Sequence, residues 1–172
     1  MELTTDLASR ETERLRRSFR PRKVKLLFIG ESAPCSGKSF YRESGMTAYT
    51  KEAFEDAFGV PFKSTAEFLH FFKAQGCYLD DLSLVPVDGM SKGDRRQSLV
   101  AGVPALAHRI RMANPDVVVV VLRKSESHVR EALVQAGIEV PTYVLPSPGQ
   151  GHQAAYRTQL SGILKDHLRR PV

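Results

Sequence analysis

The sequence predicts an α/β protein, a three-layer α/β/α sandwich with a central four-stranded, mostly parallel sheet. Three observations carry this expectation. Short apolar runs such as residues 26–29 and 117–122 lack polar alternation, as strands buried on both faces do. Between them lie segments of helical spacing that end at Gly59, Gly76 and Gly137. The 172 residues fit one domain with a proper core and leave little room for a second.

Residues 4–17 read as a helix, with Thr4 or Thr5 as cap, Asp6 in the first turn and arginines towards the end, a charge order that suits the helix dipole. Arg20, Pro21 and Arg22 break it. Residues 1–22 are therefore expected to form a basic N-terminal helix packed on a domain spanning 23–172. The first strand follows and ends at Gly30. Residues 47–58 place Ala53, Phe54, Ala57 and Phe58 at near-helical spacing, and Gly59 with Pro61 stops the helix. Ser64 and Glu67 make a helix-start signature, after which Phe68, Leu69, Phe71 and Phe72 supply a core face.

Residues 77–87 read as the second strand with its exit loop. Asp80 and Asp81 stand in its middle, and an unpaired buried carboxylate is costly, so at least one should reach a strand end, a helix N-terminus or a ligand. Residues 91–113 read as two helices separated near Gly102, with Pro104 in the first turn of the second. A valine-rich third strand (117–122), a helix (125–136), a fourth strand (140–145) and a last helix (153–168) complete the alternation. Tyr156, Leu160, Ile163, Leu164 and Leu168 share one face of that last helix.

A net charge of +6 favours polyanionic partners. Arg10, Arg14, Arg16, Arg17, Arg20, Arg22, Lys23 and Lys25 crowd the first 25 positions. Cys35 and Cys77 form no CxxC pair, and His70, His108, His128, His152 and His167 show no metal-ligand spacing, so neither metal nor cofactor is expected. No apolar run approaches the length of a membrane span and no secretory leader opens the chain. A cytoplasmic location, with no membrane and no obligate protein partner, is the expectation.

Gly30 opens a polar loop at the carboxyl end of the first strand, where open α/β sheets bind ligands, and that loop carries Glu31, Ser32, Ser36, Lys38 and Ser39. One reading is a P-loop-like phosphate cradle using Gly37, Lys38 and Ser39. Ser32 stands where that pattern needs its first glycine, Pro34 removes an N–H, and the valine-rich strand ends in Arg123 and Lys124 instead of an acid.

The other reading pairs two stiff loops, GESAPCSG at 30–37 and LPSPGQGH at 145–152. Gly30, Glu31, Ser32 and Pro34, together with Leu145, Pro146, Ser147 and Pro148, resemble the two motifs of the uracil-DNA glycosylase superfamily. The segment VPALAHRIRMANPDVVVVVL is similar to that family's run of helix, proline and valine-rich strand. The resemblance implies a protein of DNA repair that binds DNA, or RNA, flips out a damaged or deaminated base and hydrolyses its N-glycosidic bond without a cofactor. It implies Glu31 and His152 as catalytic groups, the latter sharing its role with a backbone amide of the second loop. Ser32, Phe40 or Tyr41, and Asp80 or Asp81 would hold the base. Gly30, Ser36, Lys38, Ser147, Gly149 and Gly151 would meet the nucleic-acid backbone. A non-catalytic nucleic-acid-binding member of the same fold is the alternative, because no Asp or Asn follows Gly30 in the loop.

Overall fold

The computed structural model describes residues 2–149 and 151–168. Four strands form one sheet in the order β2-β1-β3-β4, every neighbouring pair parallel. They are β1 (Leu26–Gly30), β2 (Cys77–Asp81), β3 (Val117–Val120) and β4 (Thr142–Val144). Register aligns Leu26 with Cys77 and Val117, and Val118 with Thr142. β1 and β3 are buried throughout, as their continuous apolar runs require; β2 is equally buried although it ends in Asp80 and Asp81, and edge strand β4 is half-buried.

Six α-helices surround the sheet: α1 (Glu2–Ser18), α2 (Gly45–Phe58), α3 (Thr65–Ala74), α4 (Lys92–Ala113), α5 (Glu126–Ala136) and α6 (Gln153–His167). α4 packs on α5, and α2 packs on α6 and α3. Right-handed crossovers place these two groups on opposite faces, because the chain moves outward from β1 to β2 and then back across to β3 and β4. That reversal makes the carboxyl ends of β1 and β3 the switch point of the sheet, where a crevice opens between loops leaving to opposite faces.

Several boundaries differ from the sequence reading. α1 begins at Glu2, so Thr4 and Thr5 lie within its first turns and are not its cap. α2 begins earlier, at Gly45, because Ser44 and Thr47 cap it reciprocally. The expected pair of helices over 91–113 is the single helix α4, with Pro104 inside it. Proline removes one hydrogen bond, and Leu99, Val103, Leu106 and Ile110, buried on both sides of it, hold the helix together. β2 ends at Asp81, since its neighbour β1 ends at the paired Gly30 and offers no further ladder. The two acids therefore stand at a strand end. No described helix is long and apolar enough to cross a membrane.

Candidate functional site

The carboxyl end of β1 is built by backbone stitching before any side chain enters. Leu82 N–H donates to the Gly30 carbonyl and Ser83 N–H to the Glu31 carbonyl, each at 2.9 Å, so the loops leaving β1 and β2 run together past the sheet edge. Val87 N–H donates to Ser32 Oγ (3.2 Å), and Cys35 N–H donates to the Asp88 carboxylate (2.9 Å). Ser32 thus carries a structural bond, and the β1 loop is held open by its neighbour. Beneath it lies a cavity of about 210 Å³, lined among others by Glu31, Ser39, Phe40, Tyr41 and Asp81, with Thr12 and Arg16 of α1 as a wall.

Buried charge sets the floor. Arg16 reaches from α1 and donates to Asp80 Oδ1 at 2.7 Å and to Asp81 Oδ2 at 2.8 Å, and Arg109 of α4 donates to Asp80 Oδ2 at 2.8 Å. The acids that looked costly in the sequence are paired by two arginines from distant elements. Burial works against the charge of Arg16, but Asp81, Asp80 and Glu13 outweigh it and hold the guanidinium protonated. Burial pushes the Asp81 carboxyl above its usual range, with Arg16 offsetting only part of the effect. Asp81 lines the cavity beside Gly30, where a Cβ would come within 2.5 Å of Asp81 Oδ1; Asp80 lies outside the lining.

The aromatic candidates are more enclosed than a free stacking platform. Tyr41 donates to the Leu79 carbonyl (3.1 Å), accepts from Leu79 N–H (2.8 Å) and stacks on Phe19 at 5.2 Å. Both of its recognition surfaces are engaged, and burial raises its hydroxyl well above the usual pKa. Phe40 packs on Phe72 and edge-on to Tyr41, and it keeps a place in the cavity wall. Ser39 Oγ is the unexpected feature: it is 6% exposed, lines the same cavity and has no hydrogen-bond partner among the described residues.

The second loop stands at the same rim, as the all-parallel sheet requires, but opens on a different concavity. Arg95, Arg123, Lys124, Ser147, Gly149 and His152 are among the residues around about 350 Å³. His152 is the exposed N-cap residue of α6 and does not share a cavity with Glu31. The connection between the two spaces is an ion pair, Arg95 of α4 donating to the Glu31 carboxylate. Gly151 is exposed, with a left-handed φ of 86° that favours glycine, and Ser36 is exposed on the loop tip, its hydroxyl accepting from Lys38 N–H.

Gly37, Lys38 and Ser39 lead into a three-residue 3-10 turn, Phe40–Arg42, and then into a break. A phosphate cradle of the nucleotide-binding kind opens a full helix whose first N–H groups face the anion, and this turn supplies none of that length. The acid that seemed missing at a strand end is present as Asp81 on β2, but Arg16 occupies it.

Sequence reasoning missed Arg16, Arg95 and Arg109 as site residues. Arg16 was one of many arginines in a basic segment, and nothing local separates the one that turns inward. No family model matches this chain, and no curated protein matches its sequence. Among the described residues no cluster of His, Cys, Asp and Glu could hold a metal ion.

Proposed function

We propose that this chain is a nucleic-acid-binding protein of the uracil-DNA glycosylase type, which draws a damaged or deaminated base from the stack and hydrolyses its N-glycosidic bond. The observation that carries the reading is the cavity at the end of β1, where a carboxylate, an unpartnered hydroxyl and an aromatic ring meet beside a cationic concavity. A flipped base in that cavity would lie against Phe40, with Ser39 Oγ and Asp81 at its polar edge. Cleavage builds positive charge on the sugar, which Glu31 would stabilise while orienting water. The departing base carries negative charge, to be met in the same cavity by the Ser39 hydroxyl, while His152 and the second loop stand on the Arg95 side of the Glu31–Arg95 pair, towards the phosphates. Arg123, Lys124 and Ser147 would hold phosphates.

The same ion pair favours a second reading. A carboxylate already engaged by a guanidinium is poorly placed to act as a base, which suits a protein that binds nucleic acid without cutting it.

Single- and double-stranded oligonucleotides containing uracil, hypoxanthine or a mismatch separate the two when incubated with the wild type and Glu31→Gln, then treated with alkali and resolved on a denaturing gel. Abasic product that falls roughly 100-fold or more in Glu31→Gln supports the hydrolase. Salt-sensitive binding without product leaves the binding reading alone, and neither binding nor product removes both. Magnesium-dependent ATP binding would restore the nucleotide-loop reading.

A further inference from the structure

The rim opposite the candidate cavity, where the strands begin, carries a separate concavity of about 470 Å³. Three segments build it: the link between α1 and β1, the last turns of α3, and Gly76 ahead of β2. Lys25 is stitched into place on both sides. Its N–H donates to the Gly76 carbonyl (2.7 Å), and its own carbonyl accepts from Asp116 N–H (3.0 Å) and Val117 N–H (2.9 Å). Gly76, at a left-handed φ of 80°, lets the chain pass this closely, since a Cβ there would lie 2.9 Å from Lys25 Cγ and 3.1 Å from the Lys23 carbonyl oxygen. The stem of Lys25 therefore lies over Gly76, and the residue stays exposed.

Charge in this groove is one-sided. Arg22, Lys23, Lys25, His70 and Lys73 line it, and no carboxylate does. Two of these cations serve the fold. Lys73 Nζ donates to the Ser18 carbonyl at the end of α1 (3.0 Å), while Lys23 Nζ donates to the Asn114 carbonyl at the end of α4 (2.8 Å) and pairs with Asp116 (3.1 Å), as basic side chains do at helix ends. Arg22 and Lys25 are different. Both are exposed, and neither side chain has a hydrogen-bond or ion-pair partner among the described residues. His70 adds an exposed ring backed by Phe19, with 5.8 Å between centroids, and Phe19 in turn stacks on Tyr41 at 5.2 Å. Free cations beside a supported ring suit a single nucleic-acid strand, which offers phosphates to the former and an unstacked base to the latter. A membrane surface would call for apolar groups that insert, and the lining has no exposed large apolar side chain.

We propose that this groove is a second nucleic-acid contact, holding a single-stranded segment by its phosphates at Arg22 and Lys25 and by one base against His70. The contact goes beyond the reading of the cavity and does not depend on glycosidic cleavage. The five residues of β1 set the two rims roughly 16 Å apart, so the nucleotides in the groove are not those at the cavity. Phosphate contacts and stacking on a ring carry no sequence code, so the groove anchors the chain on a strand whatever its bases are.

The test uses the full chain and a fluorescent single-stranded oligonucleotide, titrated over a range of salt concentrations. Arg22→Gln/Lys25→Gln keeps polar side chains at both positions and removes two charges, so it is expected to lower the affinity and to reduce the slope of log K against log salt by about 1.4. His70→Ala is expected to weaken binding roughly fivefold or more while leaving the slope unchanged. Arg10→Gln/Arg130→Gln removes the same charge from exposed pairs on α1 and α5 and should bind as the wild type does. A loss in that control equal to the loss in the groove variant would trace the effect to overall charge and overturn the proposal. Wild-type binding by either groove variant overturns it as well. Poly-glutamate that displaces the oligonucleotide as well as an unlabelled strand of equal length overturns the assignment to nucleic acid. A wild type that binds no single strand also overturns it, and abasic product from a duplex would then leave the cavity reading standing.

Discussion

Arg16 Nη2 lies 2.8 Å from Asp81 Oδ2, and this contact ties the N-terminal helix to a carboxylate in the lining of the candidate cavity. Without Arg16 the Asp81 carboxyl would be buried beside Gly30 with no ion-pair partner among the described residues. The pair therefore couples the docking of α1 to the state of the site.

Arg16→Ala should destabilise the fold by about 3–5 kcal/mol, because it leaves the buried Asp81 carboxylate uncompensated while Asp80 keeps Arg109. Arg10→Ala, which removes an exposed pair with Asp6, should cost less than about 0.5 kcal/mol. Urea unfolding of both variants checks the contrast. The cost of Arg16→Ala should also shrink as pH falls. The carboxyl of Asp81 is already raised by burial, so the folded state takes up its proton before the unfolded state does, and stability falls as pH rises through that window. An Arg16→Ala penalty that grows towards acid would contradict this assignment.

Arg123 and Lys124 provide two exposed cations to the second concavity. Removing both should weaken nucleic-acid binding across sequences and reduce the slope of log K against log salt by about 2. Titrations of a fluorescent oligonucleotide over a range of salt concentrations measure this slope. An unchanged slope would place the phosphate contacts elsewhere.

The two thiols should react very differently. Cys77 is fully buried and burial pushes its thiol well up, so it should stay silent until the protein unfolds. Cys35 is exposed, but its hydrogen bond to Asp88 raises its pKa, so its reaction with an aromatic disulfide at neutral pH should be slower than that of an ordinary free thiol. The rate should climb as pH passes the raised value, and Asp88→Asn should speed the reaction at pH 7. Two thiols reacting at equal rates in the native protein would refute this.

Two helical glycines should respond to alanine with opposite signs. Gly162 in α6 has nothing within 4 Å of an added Cβ, so Gly162→Ala should stabilise by about 0.5–1 kcal/mol through helix propensity. Gly102 in α4 faces the Leu82 carbonyl oxygen at 2.7 Å, a backbone atom that cannot step aside. There the same change should destabilise by about 1–3 kcal/mol despite the better propensity. Thermal unfolding of the two variants decides the point.

The sheet was legible in the chain because its signals are local. Two unbroken apolar runs and the glycines that close the helices place the central strands and the crossovers, and the loop after Gly30 follows from where such sheets bind ligands. The same locality explains the errors. Pro104 argues for a break when only its neighbours are considered, yet the helix continues because Leu99, Val103, Leu106 and Ile110 are buried along it on both sides. Residues 77–87 look like one extended run until the length of the adjacent strand is known.

By itself the sequence determined the fold class, the rim on which both stiff loops emerge and the carboxylates available there. Tertiary structure alone decided which charges meet: that Arg16 turns inward to Asp80 and Asp81, that Arg95 holds Glu31, and that Glu31 and His152 line separate spaces. The reason is physical. Backbone periodicity is written within a few residues, whereas the pairing of a buried charge depends on partners 64 and 65 positions away that only the packed chain brings together.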